Sequence, residues 1–152
     1  METALRPATP ADAVEIAEIF LTAHSDAMAY LPKLDTDDEV RAWIRDIALV
    51  RNEVLIAEAD GRPAGFASLK GDLLDQLYVH PDLQRRGIGG ALLARVRELR
   101  PNGFRLWVFQ RNTDARRFYE RRGLQLMRLT DGTENREREP DALYEWRPGQ
   151  SG

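Results

Sequence analysis

Apolar residues recur along this chain at helical and strand-like spacings, and the switches between them mark out the elements. Residues 5–8 suit a short first strand. Thr9-Pro10 reads as an N-cap with proline at the first helical position. Val14, Ile16, Ala17, Phe20 and Leu21 then give a wide helical apolar face, which Leu31-Pro32 breaks. Thr36-Asp37-Asp38-Glu39 is a capping box. Val40, Trp43, Ile44, Ile47 and Ala48 follow at helical spacing and predict a second amphipathic helix. Residues 53–59 and 64–69 read as paired strands around the Asp60-Gly61 hairpin signal. Gly71-Asp72 turns the chain into a third run, 73–79, which His80-Pro81 ends. Ile88, Leu92, Val96 and Leu99 line one face of a helix stopped by Arg100-Pro101-Asn102-Gly103. Residues 104–109 look like a buried strand. Asn112 is placed to cap a helix on which Ala115, Phe118 and Tyr119 share a face, and Gly123 stands at its C-terminal end. Residues 124–129 and 142–146 are the last strands, around a polar loop at 131–140. The order β-α-α-β-β-β-α-β-α-β-β predicts a mixed α/β sheet.

Composition narrows the function classes. At 152 residues the expectation is a single domain spanning 1–152. Hydrophobic content of 43% and charged content of 31% read as soluble. The start, Met1-Glu2-Thr3-Ala4-Leu5-Arg6, lacks the basic and apolar runs of a signal peptide. No apolar stretch approaches the ~20 residues of a membrane helix. The expectation is therefore a cytoplasmic protein with no membrane partner. The net charge of −3 argues against nucleic-acid binding, since acid elsewhere balances the clusters Arg116-Arg117 and Arg121-Arg122. With no cysteine there is no disulfide, thiolate metal site or cysteine nucleophile. His24 and His80 are far apart in sequence, so no metal is expected.

The stretch richest in chemistry is Gln84-Arg85-Arg86-Gly87-Ile88-Gly89-Gly90, between the run at 73–79 and an apolar-periodic helix. Glycines let backbone N–H groups approach a ligand without a Cβ in the way. A helix N-terminus adds unpaired donors and partial positive charge. With Arg85 and Arg86 beside it, this suits a phosphorylated ligand, a pyrophosphate above all. The P-loop pattern is absent. The dinucleotide fingerprint fails because Leu92 stands where its last small residue belongs. The alternative is a glycine-rich strand-to-helix turn with no ligand.

What remains, Gln/Arg-x-x-Gly-x-Gly/Ala after a strand ending in Val-x-Pro, resembles motif A of the GNAT N-acetyltransferase superfamily. The resemblance extends over essentially the whole chain and includes a second motif, from Asn112 through Tyr119 to Gly123-Leu124. Leu74-Asp75-Gln76-Leu77-Tyr78-Val79-His80-Pro81 is similar to small bacterial members of unassigned substrate. The resemblance implies the GNAT fold, a mixed central sheet splayed between its two central parallel strands and flanked by about four helices. It implies acetyl-coenzyme A as donor and an amine as acceptor; the oligomeric state is left open, a homodimer being one option. Gln84, Arg85, Arg86, Gly87, Ile88, Gly89 and Gly90 would hold the pyrophosphate. Leu77, Tyr78 and Val79 would pair with the pantetheine amides like an added strand. A backbone N–H at Val79, beside a bulge, would be the oxyanion donor.

Without a cysteine, direct attack in a ternary complex is favoured over an acetyl-enzyme. Tyr119 is the general-acid candidate. It lies seven residues after Asn112, a spacing at which GNAT enzymes often place a tyrosine near the coenzyme sulfur. The other reading makes Tyr119 a core residue beside Phe118. Asn112 reads as a coenzyme contact, as a helix cap, or both. Some members carry a glutamate base where this chain has Trp107. That leaves Asp75, a base acting through water or else a solvated strand residue, and His24, a base by its ordinary pKa or else a solvated helix residue. The acceptor pocket is expected from residues 30–39, the second helix and the loop at 131–140. The acidic run Asp35, Asp37, Asp38 and Glu39 would attract a cation or simply complement a helix dipole. Two rival readings are a non-catalytic acyl-CoA-binding or sensing domain and a subunit active only within an assembly.

Overall fold

A computed structural model describes residues 2–149; Met1 and residues 150–152, the ends of the expected domain, lie outside them. The chain runs β1 (Thr3–Pro7), α1 (Ala13–Ala27), α2 (Asp37–Trp43), β2 (Glu53–Ala59), β3 (Arg62–Lys70), β4 (Leu73–Val79), α3 (Ile88–Leu99), β5 (Phe104–Phe109), α4 (Thr113–Arg121), β6 (Gln125–Leu129) and β7 (Asp141–Trp146). The strands form one sheet in the order β1-β2-β3-β4-β5-β7-β6. Among the described residues only β4 and β5 run parallel, and they sit at its centre.

Side-chain alternation along β2 shows how the sheet divides two cores. Leu55, Ala57 and Ala59 face α3 and α4, packing with Leu92, Leu93, Val96, Phe104, Leu106 and Tyr144. Val54 and Ile56 face the other way, into Ile16, Ile19, Ile44 and Phe66 beneath α1 and α2. Burial on both faces explains why these strands read as continuous apolar runs.

The helices depart from expectation at two places. The first begins as a 3-10 turn at Pro10–Asp12 and ends at Ala27, before the Leu31-Pro32 break. Met28 leaves the helical region at φ −135° and its side chain is buried. The second helix is not uniform. After α2 it widens into a π-turn at Ile44–Ala48 and closes with Leu49–Arg51. An ideal α-helix rotates an i, i+4 stripe by about 40° per step. One wide turn cancels part of that drift and keeps both Ile44 and Ala48 buried. The capping box forms as read, with Glu39 N–H donating to Thr36 Oγ1 at 3.1 Å and Thr36 N–H to Glu39 Oε1 at 2.9 Å.

Candidate active site

At the centre of the sheet, β4 and β5 pair only at Leu73 and Arg105, with Arg105 N–H donating to the Asp72 carbonyl at 2.9 Å. Beyond that point the two strands splay. The β3–β4 register passes from Leu69↔Leu74 to Ser68↔Gln76, so Asp75 is the extra residue of a β-bulge at the closed end of the splay. The His80 N–H donates to the Ala64 carbonyl at 2.8 Å. By antiparallel alternation, Tyr78 then spends its main-chain groups on Phe66 and Gln76 spends its own on Ser68. Leu77 and Val79 turn theirs toward β5, where no strand meets them. The Val79 carbonyl accepts from Gln84 Nε2 at 3.1 Å. The Val79 N–H and both Leu77 groups are left at the gap. This corrects the expectation for Tyr78: its backbone belongs to the β3 ladder, and only its side chain is available to the site. Gln84 has a first task in folding the loop back onto β4.

The turn above the gap is built from unusual backbone. Arg85 has φ 65° and Gly87 φ 84°. The first intrahelical bond of α3 runs from Ala91 N–H to the Gly87 carbonyl at 3.0 Å. The N–H groups of Ile88, Gly89 and Gly90 therefore lie ahead of the helical ladder. A Cβ on Gly89 would stand 3.2 Å from the Phe118 ring, and one on Gly90 3.2 Å from Arg122 Nη2. Arg85 and Arg86 are exposed beside this turn, and the Ile88 side chain is buried in the core.

Asn112 caps α4 by accepting from Ala115 N–H at 3.3 Å. The cap aligns the helix so that Tyr119 is buried, 8% exposed, with its ring edge-on to Phe118. Burial pushes the Tyr119 phenol up, so its proton stays in place through the neutral range. Among the described residues no partner takes that proton. Tyr78 approaches from the other face of the sheet, packed against Phe20 and Phe66. Burial raises its phenol as well, and Tyr119, Asp75, Glu137 and Tyr30 add to the effect.

On the α1 side the splay opens into a cavity of about 480 Å³ whose lining includes Asp75, Trp107, Phe109, Arg128, Glu134 and Glu137. Asp75 is reached by solvent but crowded by these walls, and the lost hydration raises its carboxyl above the ordinary value. Trp107 is 40% exposed and forms a flat wall. His24 is half-buried rather than solvated: it stacks on Phe20 at 5.2 Å, and burial lowers its pKa against the opposing pull of Glu137. His80 acts locally, its Nδ1 accepting from Asp82 N–H at 3.1 Å.

Ion pairs fasten the surroundings. Arg136 grips Asp35 with two bonds, 3.1 and 3.2 Å, tying the β6–β7 loop to the α1–α2 connection. Arg111 holds Glu139 at 2.7 and 2.8 Å and lies 4.0 Å over the Tyr30 ring. The rest of the acidic run is also spent: Asp37 on Lys33, Asp38 on Arg41, Glu39 in the capping box. The sequence reading missed Tyr30, Arg111 and Glu137 as individuals. Nothing in the local pattern marks them, because their partners are distant in sequence.

The chain has relatives among known proteins. Residues 51–125 match a family model described as an acetyltransferase (GNAT) domain. The chain is 35% identical over 85 residues to the peptidyl-lysine N-acetyltransferase YiaC of Escherichia coli (strain K12), covering 55% of this chain and 58% of that one. It is 34% identical over 104 residues to the L-amino acid N-acyltransferase MnaT of the same organism, covering 60% and 59%. The chain thus spans a little under three fifths of the length of these curated relatives. Among solved structures, a GCN5-related N-acetyltransferase from Rhodopseudomonas palustris superposes with a TM-score of 0.78 at 28% identity, over 97% of this chain and 96% of that one.

Proposed function

We propose that the chain, whose residues 51–125 match the GNAT acetyltransferase domain, is a member of that superfamily and an acetyl-coenzyme A-dependent N-acetyltransferase acting on an amine in a ternary complex. One observation carries the reading: the β4–β5 opening, with unpaired main-chain groups along one wall and a glycine-turned helix N-terminus above it. The residues fit the donor. Its pyrophosphate suits the N–H groups of Ile88, Gly89 and Gly90 and the guanidinium groups of Arg85 and Arg86. Its pantetheine amides suit the outward groups of Leu77 and Val79. Asn112, at the head of α4, is proposed as a further contact.

When bound, the donor supplies an activated acetyl thioester. The Val79 N–H is positioned to donate to a carbonyl oxygen as it gains charge. Tyr119 directs a retained proton toward the departing sulfur. Asp75 takes a proton from the incoming ammonium through water, and its raised pKa brings it closer to that task. In balance, the C–N bond forms as the C–S bond breaks. The ammonium gives up two protons, one to solvent through Asp75 and one that ends on the coenzyme sulfur.

Relatives named for peptidyl-lysine and for L-amino acids support an acceptor among primary amines. We place the activity in one cytoplasmic domain spanning 1–152, and two such chains can form a homodimer. No helix among the described residues is long and apolar enough to cross a membrane. The test is a thermal shift with acetyl-coenzyme A beside an amine panel read by released thiol. At a hundredfold excess over its dissociation constant the donor should stabilise the fold by about 2.7 kcal/mol, with NAD and ATP doing far less. Equal stabilisation by NAD overturns the donor. Stabilisation without thiol release across the panel favours a non-catalytic acyl-CoA-binding domain.

A further inference from the structure

The groove between α3 and α4 collects positive charge that no acid among the described residues balances. Arg122, just past the end of α4, folds back so that its guanidinium lies 3.9 Å over the Phe118 ring and Nη1 donates to the Phe118 carbonyl at 3.2 Å. That brings Nη2 and Nε against the first turn of α3, where a Cβ on Gly90 would stand 3.2 and 3.4 Å from them. The adjacent glycines thus have separate tasks: Gly89 admits the Phe118 ring and Gly90 admits the guanidinium. Arg97 stands two turns further along α3, on the same face as Gly90. Its guanidinium lies 5.3 Å over the Trp146 ring. Nε and Nη2 are closed off from solvent without a partner, which leaves Nη1 as the nitrogen a ligand meets.

Neither arginine has an ion pair among the described residues. The three acids of residues 84–122 are committed or placed elsewhere. Glu98 pairs with Arg95, Glu120 accepts from the Tyr144 hydroxyl, and Asp114 lies in the first turn of α4. Burial, and then the Arg122 charge, push Arg97 below its ordinary pKa. The N-terminus of α3 adds partial positive charge and the unpaired N–H of Gly90. Buried donors ordinarily have acceptors, and like charges held together disfavour each other. An anion relieves both penalties, and a dianion does so better than a monoanion. The aromatic seats on Phe118 and Trp146 hold both guanidinium groups in place before a ligand arrives.

We propose that Arg122 and Arg97 form a site for a phosphate monoester. Two sources share this chemistry. One is the 3′-phosphate of coenzyme A, which would make the pair a specificity determinant for the donor; that source rests on the acetyl-coenzyme A reading. The other is a separate phosphate, which does not.

The experiment is calorimetric titration with coenzyme A and with 3′-dephospho-coenzyme A, which differ only in that group, beside a thermal-shift series with inorganic phosphate. If the coenzyme supplies the phosphate, coenzyme A should bind about tenfold tighter than the dephospho form, the low end for charge-assisted hydrogen bonds. The ratio should rise through about pH 6, where a phosphate monoester loses its second proton. Arg122→Gln and Arg97→Gln should each narrow the ratio, and the double variant should bring it close to one. Nearly unchanged affinity for dephospho-coenzyme A in the variants shows that they are folded and keep the pyrophosphate contacts. If the two coenzymes bind alike, and inorganic phosphate raises the melting temperature of the coenzyme-loaded parent but not of the double variant, the site belongs to a separate phosphate. Equal coenzyme affinities together with equal phosphate shifts in parent and double variant overturn the proposal. So does an equal loss of both coenzymes in Arg122→Gln, which makes Arg122 a pyrophosphate ligand only. Weak binding of both coenzymes to the parent would count against the acetyl-coenzyme A reading and leave the phosphate series to decide this one.

Discussion

Tyr119 shows how much one side chain owes to its address. Asn112 caps α4, two turns of helix follow, and the phenol is carried into the core beneath α3 and α4 with its proton locked on by burial. A phenol raised in this way transfers its proton less readily than a free one, yet it remains a strong donor to a sulfur gaining charge. Tyr119→Phe keeps the ring against Phe118 and should leave folding and coenzyme affinity nearly unchanged. Single-turnover acetyl transfer should slow by between about tenfold and about 10²-fold, the lower bound for a lost hydrogen bond and the upper for lost proton transfer. A wild-type rate in the Phe variant, with Tyr119→Ala unfolded, would reduce Tyr119 to a core residue.

At the scale of elements, the turn into α3 combines two demands that a substitution can separate. Arg85 holds a left-handed backbone that costs a non-glycine residue roughly 1 kcal/mol. It also puts a guanidinium where phosphate is expected. Arg85→Gly relieves the first and removes the second. Chemical denaturation should find stability at or slightly above the parent, since glycine's greater unfolded-state freedom offsets part of the relief. The coenzyme-induced thermal shift should shrink. A full-sized shift would move the phosphate contacts elsewhere. This turn was legible in the sequence because glycine chemistry is local, as were the strands β2, β4 and β5, which are mostly apolar between turn signals. The π-turn after α2 was not, because the apolar stripe from Val40 to Ala48 looks the same with or without one wide turn. The cleft beside the splay was legible in part. Asp75 and the loop at 131–140 were expected and line it; residues 30–39 and the second helix were expected and do not. Trp107 and Phe109 join it from β5 and Arg128 from β6. The Arg136–Asp35 clasp joins residues 101 positions apart. No periodicity records which of several arginines will meet which of several acids.

At the scale of the molecule, charge is sorted although the total is only −3. Residues 84–122 hold eleven arginines and three acids, whereas the cavity beside the splay gathers Asp75, Glu134 and Glu137, none of them in an ion pair among the described residues. On the proposed function, this sorting would draw a polyanionic donor and a cationic acceptor to opposite mouths of one opening. The opening also leaves β1–β4 and β5–β7 as two ladders stitched by a single residue pair, with the core beneath α3 bridging them on one side. In isotope-exchange terms these are two cooperative units with a seam between them. Amide deuteration without donor should resolve the ladders into separate protection classes, with Leu77 and Val79 exchanging early despite their central position. Coenzyme A should slow those two amides and draw the classes together. Uniform slow exchange along β4 without donor would show that the seam is closed by other means. A ligand that supplies the missing rungs acts as part of the folded state, and the protein's unfolding should then proceed as one event instead of two.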